Sequence, residues 1–101
     1  MAKLIITARI LPSGATFTVK GREAWAFLEL VKAGPKGCTP IDNPGPRWSA
    51  YVFTLKRDYG LAVETRHEPH RGPFPGNHAR YLLHDTVEVI SRSDEMVSAA
   101  A

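Results

Sequence analysis

The sequence predicts an α+β fold in which a β-hairpin comes first, a helical part follows and further strands complete the domain. Three observations predict it: alternating apolar side chains near the N-terminus, apolar side chains at helical spacing in two central segments, and renewed alternation after residue 60. A chain of 101 residues suits one domain of this kind, which we place at residues 1–91. Within it we predict a hairpin over residues 3–19, a helical part over 21–60 and wing strands over 61–90.

The N-terminal hairpin is predicted from alternation and a turn signal. The segment Lys3 to Leu11 is rich in β-branched residues, and one face of it carries Leu4, Ile6, Ala8 and Ile10. Pro12, Ser13 and Gly14 form a turn signal, and a second short strand follows over residues 16–19. We expect the two strands to pair and to have a structural role.

The first helix is predicted from Gly21 to Ala33, where Gly34 and Pro35 end it. Its apolar stripe has the spacing i, i+3, i+4 and i+7 and consists of Ala24, Phe27, Leu28 and Val31. Trp25 lies about 100° from the centre of this stripe. We therefore expect Trp25 to pack against the hairpin, with stacking on a ligand as the alternative.

A very short second helix is predicted around Pro40 to Asn43. Thr39 is a suitable cap and Pro40 suits the first helical position. Pro44 prevents extension beyond about one turn. Cys38 precedes this helix, and we expect it to be a small core-facing residue. The alternative is a reactive thiolate near a helix N-terminus, which no neighbouring histidine or cysteine supports.

The third helix is predicted over residues 46–59, with proline in its first turn. One arc of it is apolar and is formed by Trp48, Tyr51, Val52, Leu55 and Tyr59. The opposite side carries small, hydroxyl-bearing and arginine side chains together with Phe53. Either this side is solvated, with Phe53 covered by a neighbouring element, or it faces a DNA groove, where arginine pairs with guanine and apolar groups meet a thymine methyl.

The segment after the third helix is predicted as strands around a stiff loop. Residues 61–67 alternate, the loop 68–77 contains three prolines and two glycines, and residues 79–83 return as a strand. Residues 85–90 alternate again and would extend this sheet. Residues 92–101 carry no apolar face, so we predict a flexible tail there.

Three segments in this half of the chain carry a family pattern: Trp48-Ser49-Ala50-Tyr51-Val52-Phe53-Thr54-Leu55-Lys56-Arg57, Gly60-Leu61-Ala62-Val63-Glu64-Thr65 and Ala79-Arg80-Tyr81-Leu82-Leu83. In this order they resemble the small winged-helix domains of bacterial and phage proteins. There, a third helix leads through a Gly-Leu-hydrophobic-Glu-Thr strand into a wing, and an Arg-Tyr-x-Leu strand closes it. The resemblance covers residues 21–83 and implies a winged helix with three helices. Two departures are the second helix shortened by Pro44 and Pro46, and a histidine-rich wing.

The resemblance implies binding of double-stranded DNA, as in a transcriptional regulator, with helix 46–59 in the major groove and loop 68–77 as the wing. We predict base-facing roles on the helix for Arg47, Ser49, Ala50, Thr54 and Arg57. Lys56 and Arg71 are predicted to contact phosphates. The alternative is a winged-helix module that binds other proteins and has no intrinsic DNA binding; exposed Phe53 and Trp25 side chains would favour it.

Metal binding and catalysis have little support in the sequence. Four histidines fall close together, at His67, His70, His78 and His84. Their spacing matches no structural zinc pattern and no cysteine joins them, so we predict no metal and no cofactor, and expect the wing histidines to be solvated or near phosphate. Because no nucleophile elbow, phosphate-binding loop or convincing acid pair is present, we predict that the protein is not an enzyme.

Charge and cysteine content limit the partners. The net charge is +3, and the excess of Lys and Arg precedes residue 82 while the end of the chain is acidic. This distribution permits a polyanionic partner without requiring one. The lone Cys38 and the absence of a long apolar run or a signal peptide predict a cytoplasmic protein that does not enter a membrane. We also expect a homodimer or a larger protein partner, because a domain of this size contacts little duplex alone.

Overall fold

The computed structural model describes residues 4–40, 47–70 and 76–94. Five strands and two α-helices occur in this part of the chain: β1 (Leu4–Leu11), β2 (Ala15–Lys20), α1 (Gly21–Ala33), α2 (Trp48–Tyr59), β3 (Val63–His70), β4 (Gly76–Leu83) and β5 (Thr86–Asp94). The α+β fold class is therefore confirmed.

The N-terminal hairpin forms as predicted but belongs to a larger sheet. The strand order is β2-β1-β5, and β1 is antiparallel to both neighbours. The prediction that residues 85–90 extend the wing was wrong, because β5 pairs with the free edge of β1. This strand continues to Asp94, so the predicted tail over residues 92–101 begins too early; residues 95–101 lie outside the described part of the chain.

Helix α1 lies against this sheet and against α2. Its fully buried side chains are Ala24, Ala26, Phe27 and Leu30, while two members of the predicted stripe, Leu28 and Val31, are only partly buried. The buried arc is shifted because α1 packs against two elements instead of one. Trp25 packs against α2, with its ring centroid 5.3 Å from that of Trp48, a contact that the sequence interpretation did not predict.

The helix count differs from the prediction. Between the two α-helices the described residues contain a 3-10 turn, Gly34–Lys36, and a simple turn at Pro40. The predicted second helix extends into residues 41–46, which lie outside the described residues. Helix α2 corresponds to the predicted third helix but starts at Trp48. Gly60 ends it as predicted, since it adopts a left-handed conformation with φ 67° and its N–H bonds the Leu55 carbonyl.

Strands β3 and β4 form a two-stranded antiparallel hairpin with register Val63↔Leu83 to His70↔Gly76. Residues 68–70 and 76–77 of the predicted loop 68–77 are strand, and residues 71–75 lie outside the described part. Pro69 is compatible with this pairing because β3 is an edge strand, where a missing N–H is tolerated.

A backbone bridge attaches this hairpin to the core. Cys38 and Tyr81 exchange two N–H···O=C bonds of 2.9 and 2.8 Å. Gly37 permits the close approach, because a Cβ at that position would lie 2.7 Å from the Tyr81 carbonyl oxygen and its φ is +74°. Cys38 is fully buried, which confirms the prediction that it is a small core-facing residue.

Candidate nucleic-acid interface

The buried and exposed sides of α2 are those that its periodicity predicts. Trp48, Tyr51, Val52 and Leu55 are buried, and Tyr59 is partly so. On the outer side Phe53 is 59% exposed. Of the two alternatives for this side, the one in which a neighbouring element covers Phe53 is therefore wrong. The guanidinium of Arg57 lies 4.9 Å from the centre of its ring, which gives a cation–π contact on the surface of the helix.

The six predicted contact residues on α2 and at its start fall on two sides of the helix. One group faces the hairpin and consists of Ser49, Lys56 and Arg57; the other faces the first turn of α1 and consists of Arg47, Ala50 and Thr54. Phe53 belongs to the first group, because at about 100° per residue it falls between Ser49 and Arg57 on the side that faces the hairpin. The seventh predicted contact residue, Arg71, lies outside the described residues.

A groove separates α2 from the hairpin, and we refer to it as the helix–hairpin groove. It has a volume of about 530 Å³. The described residues that line it are Ser49, Val52, Phe53, Lys56 and Arg57 of α2 and Thr65, His67, Ala79 and Tyr81 of the hairpin. The sequence interpretation missed the four hairpin residues. Strand alternation was the available signal, because residues 65, 67, 79 and 81 share one face once the strands pair in this register.

A smaller pocket of about 280 Å³ lies on the α1 side of α2. Arg22 and Arg47 line it together with Glu23, so a carboxylate offsets part of its positive charge. Tyr51 also lines this pocket, while its hydroxyl is buried and has no hydrogen-bond partner among the described residues. This side of α2 is polar, whereas the helix–hairpin groove combines apolar and basic side chains.

Charge on Arg57 is partly compensated within the helix. Its guanidinium donates to the adjacent Asp58 carboxylate over 2.7 and 3.1 Å. These hydrogen bonds raise the pKa of Arg57 and lower the pKa of Asp58. Lys56, which also lines the groove, makes no ion pair with any described residue.

The face of the hairpin that points away from the groove is held by ion pairs. Glu68 accepts a 2.6 Å hydrogen bond from Arg80 Nε and lies 3.1 Å from His78 Nε2. Arg80 also donates to the Lys36 carbonyl, which links the hairpin to the 3-10 turn. The Arg80 hydrogen bond is the main reason that the pKa of Glu68 lies below its usual value.

Among the described side chains, two histidines contact carboxylates. His84 Nε2 lies 2.7 Å from Glu64, which Arg66 also contacts, and both hydrogen bonds lower the pKa of Glu64. His78 contacts Glu68 in the same manner. His67 lines the groove, and the side chain of His70 lies outside the described part. Within the described ranges no three metal-binding side chains come together.

Cys38 shows none of the properties of a reactive thiol. Burial, followed by the charge of Glu29, raises the pKa of Cys38 to about 11. The thiolate is therefore scarce at neutral pH, and the side chain acts as part of the core.

The fold agrees with a comparison against protein families. The model of a family described as "Winged helix domain" matches residues 16–93. The chain belongs to this family. Winged-helix domains have a helix-turn-helix type of fold that commonly binds DNA. We refer to the hairpin β3–β4 as the wing of this domain. Comparisons with curated proteins and with solved structures give no match. Neither described helix has the length and apolar character needed to span a membrane.

Proposed function

We propose that this winged helix binds double-stranded DNA and acts as a bacterial or phage-derived transcriptional regulator without catalytic activity. The observation that carries the proposal is the outward side of α2, where Ser49, Lys56 and Arg57 are exposed next to the wing. A helix diameter matches the width of the major groove, and arginine and lysine there can contact base edges and phosphates. The proposed partner is duplex DNA, and the proposed location is the cytoplasm.

The residues have different roles in this proposal. Arg57 is placed to contact a base edge once DNA replaces Asp58 as its partner. Lys56, which has no ion pair among the described residues, contacts a phosphate. Arg71, which follows β3 in the sequence, supplies a second phosphate contact. Arg47, Ala50 and Thr54 lie on the α1 side of the helix and contact the other wall of the major groove.

The test is a fluorescence-anisotropy titration of short labelled duplexes at several salt concentrations. We expect Lys56→Gln to weaken binding to all sequences alike and to reduce the slope of log affinity against log salt by about one unit. Arg57→Ala should reduce discrimination between sequences by about 1–3 kcal/mol. Arg9→Ala is the matched control, because it removes an exposed arginine from β1, away from α2. Absence of duplex binding at about 10 µM protein and low salt would exclude the proposal.

A second candidate function is a protein-interaction module, and the exposed Phe53 favours it. The other sheet also exposes Leu11, Val89 and Ile90, which could serve a homodimer. Light scattering after size exclusion measures the mass of the chain in solution, and variants of each surface show which of them forms a dimer. Loss of a dimer in Ile90→Ser would assign the interface to the N-terminal sheet, and loss of it in Phe53→Ser would assign it to α2.

A further inference from the structure

The helix–hairpin groove has the dimensions of a small-molecule site. Its volume of about 530 Å³ lies within the range of ligand pockets, roughly 300–1,000 Å³. Buried side chains, Val52 and Tyr81, form its floor, while the exposed Phe53, Thr65 and His67 form its sides. The groove therefore has a rigid base of packed residues and accessible walls.

Phe53 gives the groove an aromatic wall. The ring is 59% exposed, although it belongs to a helix whose other large apolar side chains are buried or partly buried. A flat ring placed in the groove would cover apolar surface on Phe53 and Ala79 together. Contact between two aromatic rings contributes favourable free energy beyond that of the apolar area it buries. The groove thus favours a planar, unsaturated ligand.

The charges around the groove favour an anion. None of the described lining residues is acidic, whereas Lys56 and Arg57 are cationic and Ser49 offers a hydroxyl donor. Arg57 is already paired with Asp58, whereas Lys56 makes no ion pair with a described residue. We therefore expect an anionic group to pair with Lys56. An acidic group on a ligand would reach it at the edge of the groove while a ring lies on Phe53.

From this combination we propose that the helix–hairpin groove binds a small aromatic anion, with its ring on Phe53 and its acidic group at Lys56. The site uses the same side of α2 as the proposed DNA contacts, because Ser49, Lys56 and Arg57 belong to both. A bound aromatic anion therefore competes with duplex DNA. The competition with DNA rests on the proposed function, whereas the ligand site does not.

The probes are anilinonaphthalene sulfonate, an aromatic anion, and N-phenylnaphthylamine, which has the same ring system without the sulfonate. Fluorescence titration of the full chain should show one sulfonate probe bound per chain. Phe53→Ser should weaken it about tenfold, because stacking and apolar contact are lost together. Lys56→Gln should weaken the sulfonate about threefold and leave the neutral probe unchanged, because only the charge contact is removed.

The control is Ile90→Ser, which removes another exposed apolar side chain from the opposite sheet. It should leave both titrations at wild-type values. Thr65→Trp provides an independent variant: Thr65 is exposed on a strand, and indole there fills the groove and should weaken both probes. The ligand site is overturned if Ile90→Ser and Phe53→Ser have equal effects, if several probes bind per chain, or if Lys56→Gln weakens both probes equally.

Competition is measured by adding the sulfonate probe to the protein bound to a labelled duplex. A fall in anisotropy with wild type, which needs about tenfold more sulfonate probe with Phe53→Ser, supports competition. Simultaneous binding of duplex and sulfonate overturns the regulatory part alone. If the wild-type chain binds no duplex but still binds the sulfonate at Phe53 and Lys56, the proposed function fails and the ligand site stands.

Discussion

The two β-sheets of this winged helix are stabilised by different means. In the N-terminal sheet β2-β1-β5, Ile6, Ala8 and Val19 are completely buried, and the outer face has an exposed ion pair, Arg9–Glu88. In the wing hairpin the buried residues lie near its base, and ion pairs around Glu64 and Glu68 hold its outer face. Apolar burial makes the first sheet a scaffold. The wing combines buried residues at its base with ion pairs on its outer face, and its other face lines the groove.

The same contrast appears in the two phenylalanines that belong to the helices. Phe27 of α1 is fully buried and meets Phe17 of β2 edge to face at 5.3 Å. Phe53 of α2 is exposed beside the wing. Both positions are apolar at the sequence level, yet one stabilises the fold and the other is available to a partner.

The largest effect is expected from Phe27→Ala. Removing this side chain leaves a cavity between α1 and the N-terminal sheet and should lower the free energy of unfolding by about 3–5 kcal/mol. Phe53→Ala is the matched control and should change it by about 0.5 kcal/mol or less. Urea unfolding followed by tryptophan fluorescence measures both. Similar losses in the two variants would mean that Phe53 is part of the core.

Gly37→Ala should detach the wing from the core. Its φ of 74° and ψ of 179° are strained for alanine, and a Cβ would meet the Tyr81 carbonyl, so we expect a loss of about 3 kcal/mol. Gly14→Ala, with a φ of 83° and no atom within 4 Å, should cost about 1 kcal/mol because it has strain without the clash. Thermal unfolding measures the stability of both variants. Equal losses of stability would show that the close approach of Gly37 to the Tyr81 carbonyl contributes little.

Glu68→Gln should make the stability of the wing less dependent on pH. Because Arg80 and His78 lower the pKa of Glu68, the ionised form favours the folded state. That contribution is present above the ordinary glutamate pKa and is lost as the pH falls through the lowered value. The stability difference between wild type and Glu68→Gln should therefore shrink on acidification from neutral pH. Unfolding at a series of pH values measures it.

The double variant with Arg80→Gln is the control for this pH effect. Since the Arg80 hydrogen bond is the main cause of the lowered pKa, Glu68→Gln should have a smaller pH-dependent effect in that background. An unchanged dependence would assign the effect to other groups.

The smallest effect is expected from Arg9→Ala on the N-terminal sheet. Arg9 and Glu88 form a 2.8 Å ion pair, but both side chains are about half exposed. Exposed pairs of this kind contribute about 0.2–1 kcal/mol. A double-mutant cycle with Glu88→Ala measures the coupling energy. A coupling well above this range would show that polar contacts stabilise the scaffold as well as the wing.

Local patterns were sufficient for most of the elements. Alternation identified β1 and β2, helical spacing identified α1 and α2, and Gly60 identified the end of α2. The buried side of α2 was also predicted correctly, because a helix with one strong apolar arc has one way to face a core. The order of motifs around it was enough to identify the winged-helix family.

The arrangement of these elements depended on the tertiary structure. The sequence did not reveal that β5 pairs with β1, because strand alternation specifies a face and not a partner. Nor did it reveal the helix–hairpin groove, since Thr65, His67, Ala79 and Tyr81 meet only after β3 and β4 pair in register. The sequence alone determined which side chains α2 turns outward. Packing of the wing beside α2 decided that Phe53 stays exposed, because exposure depends on neighbours distant in the chain.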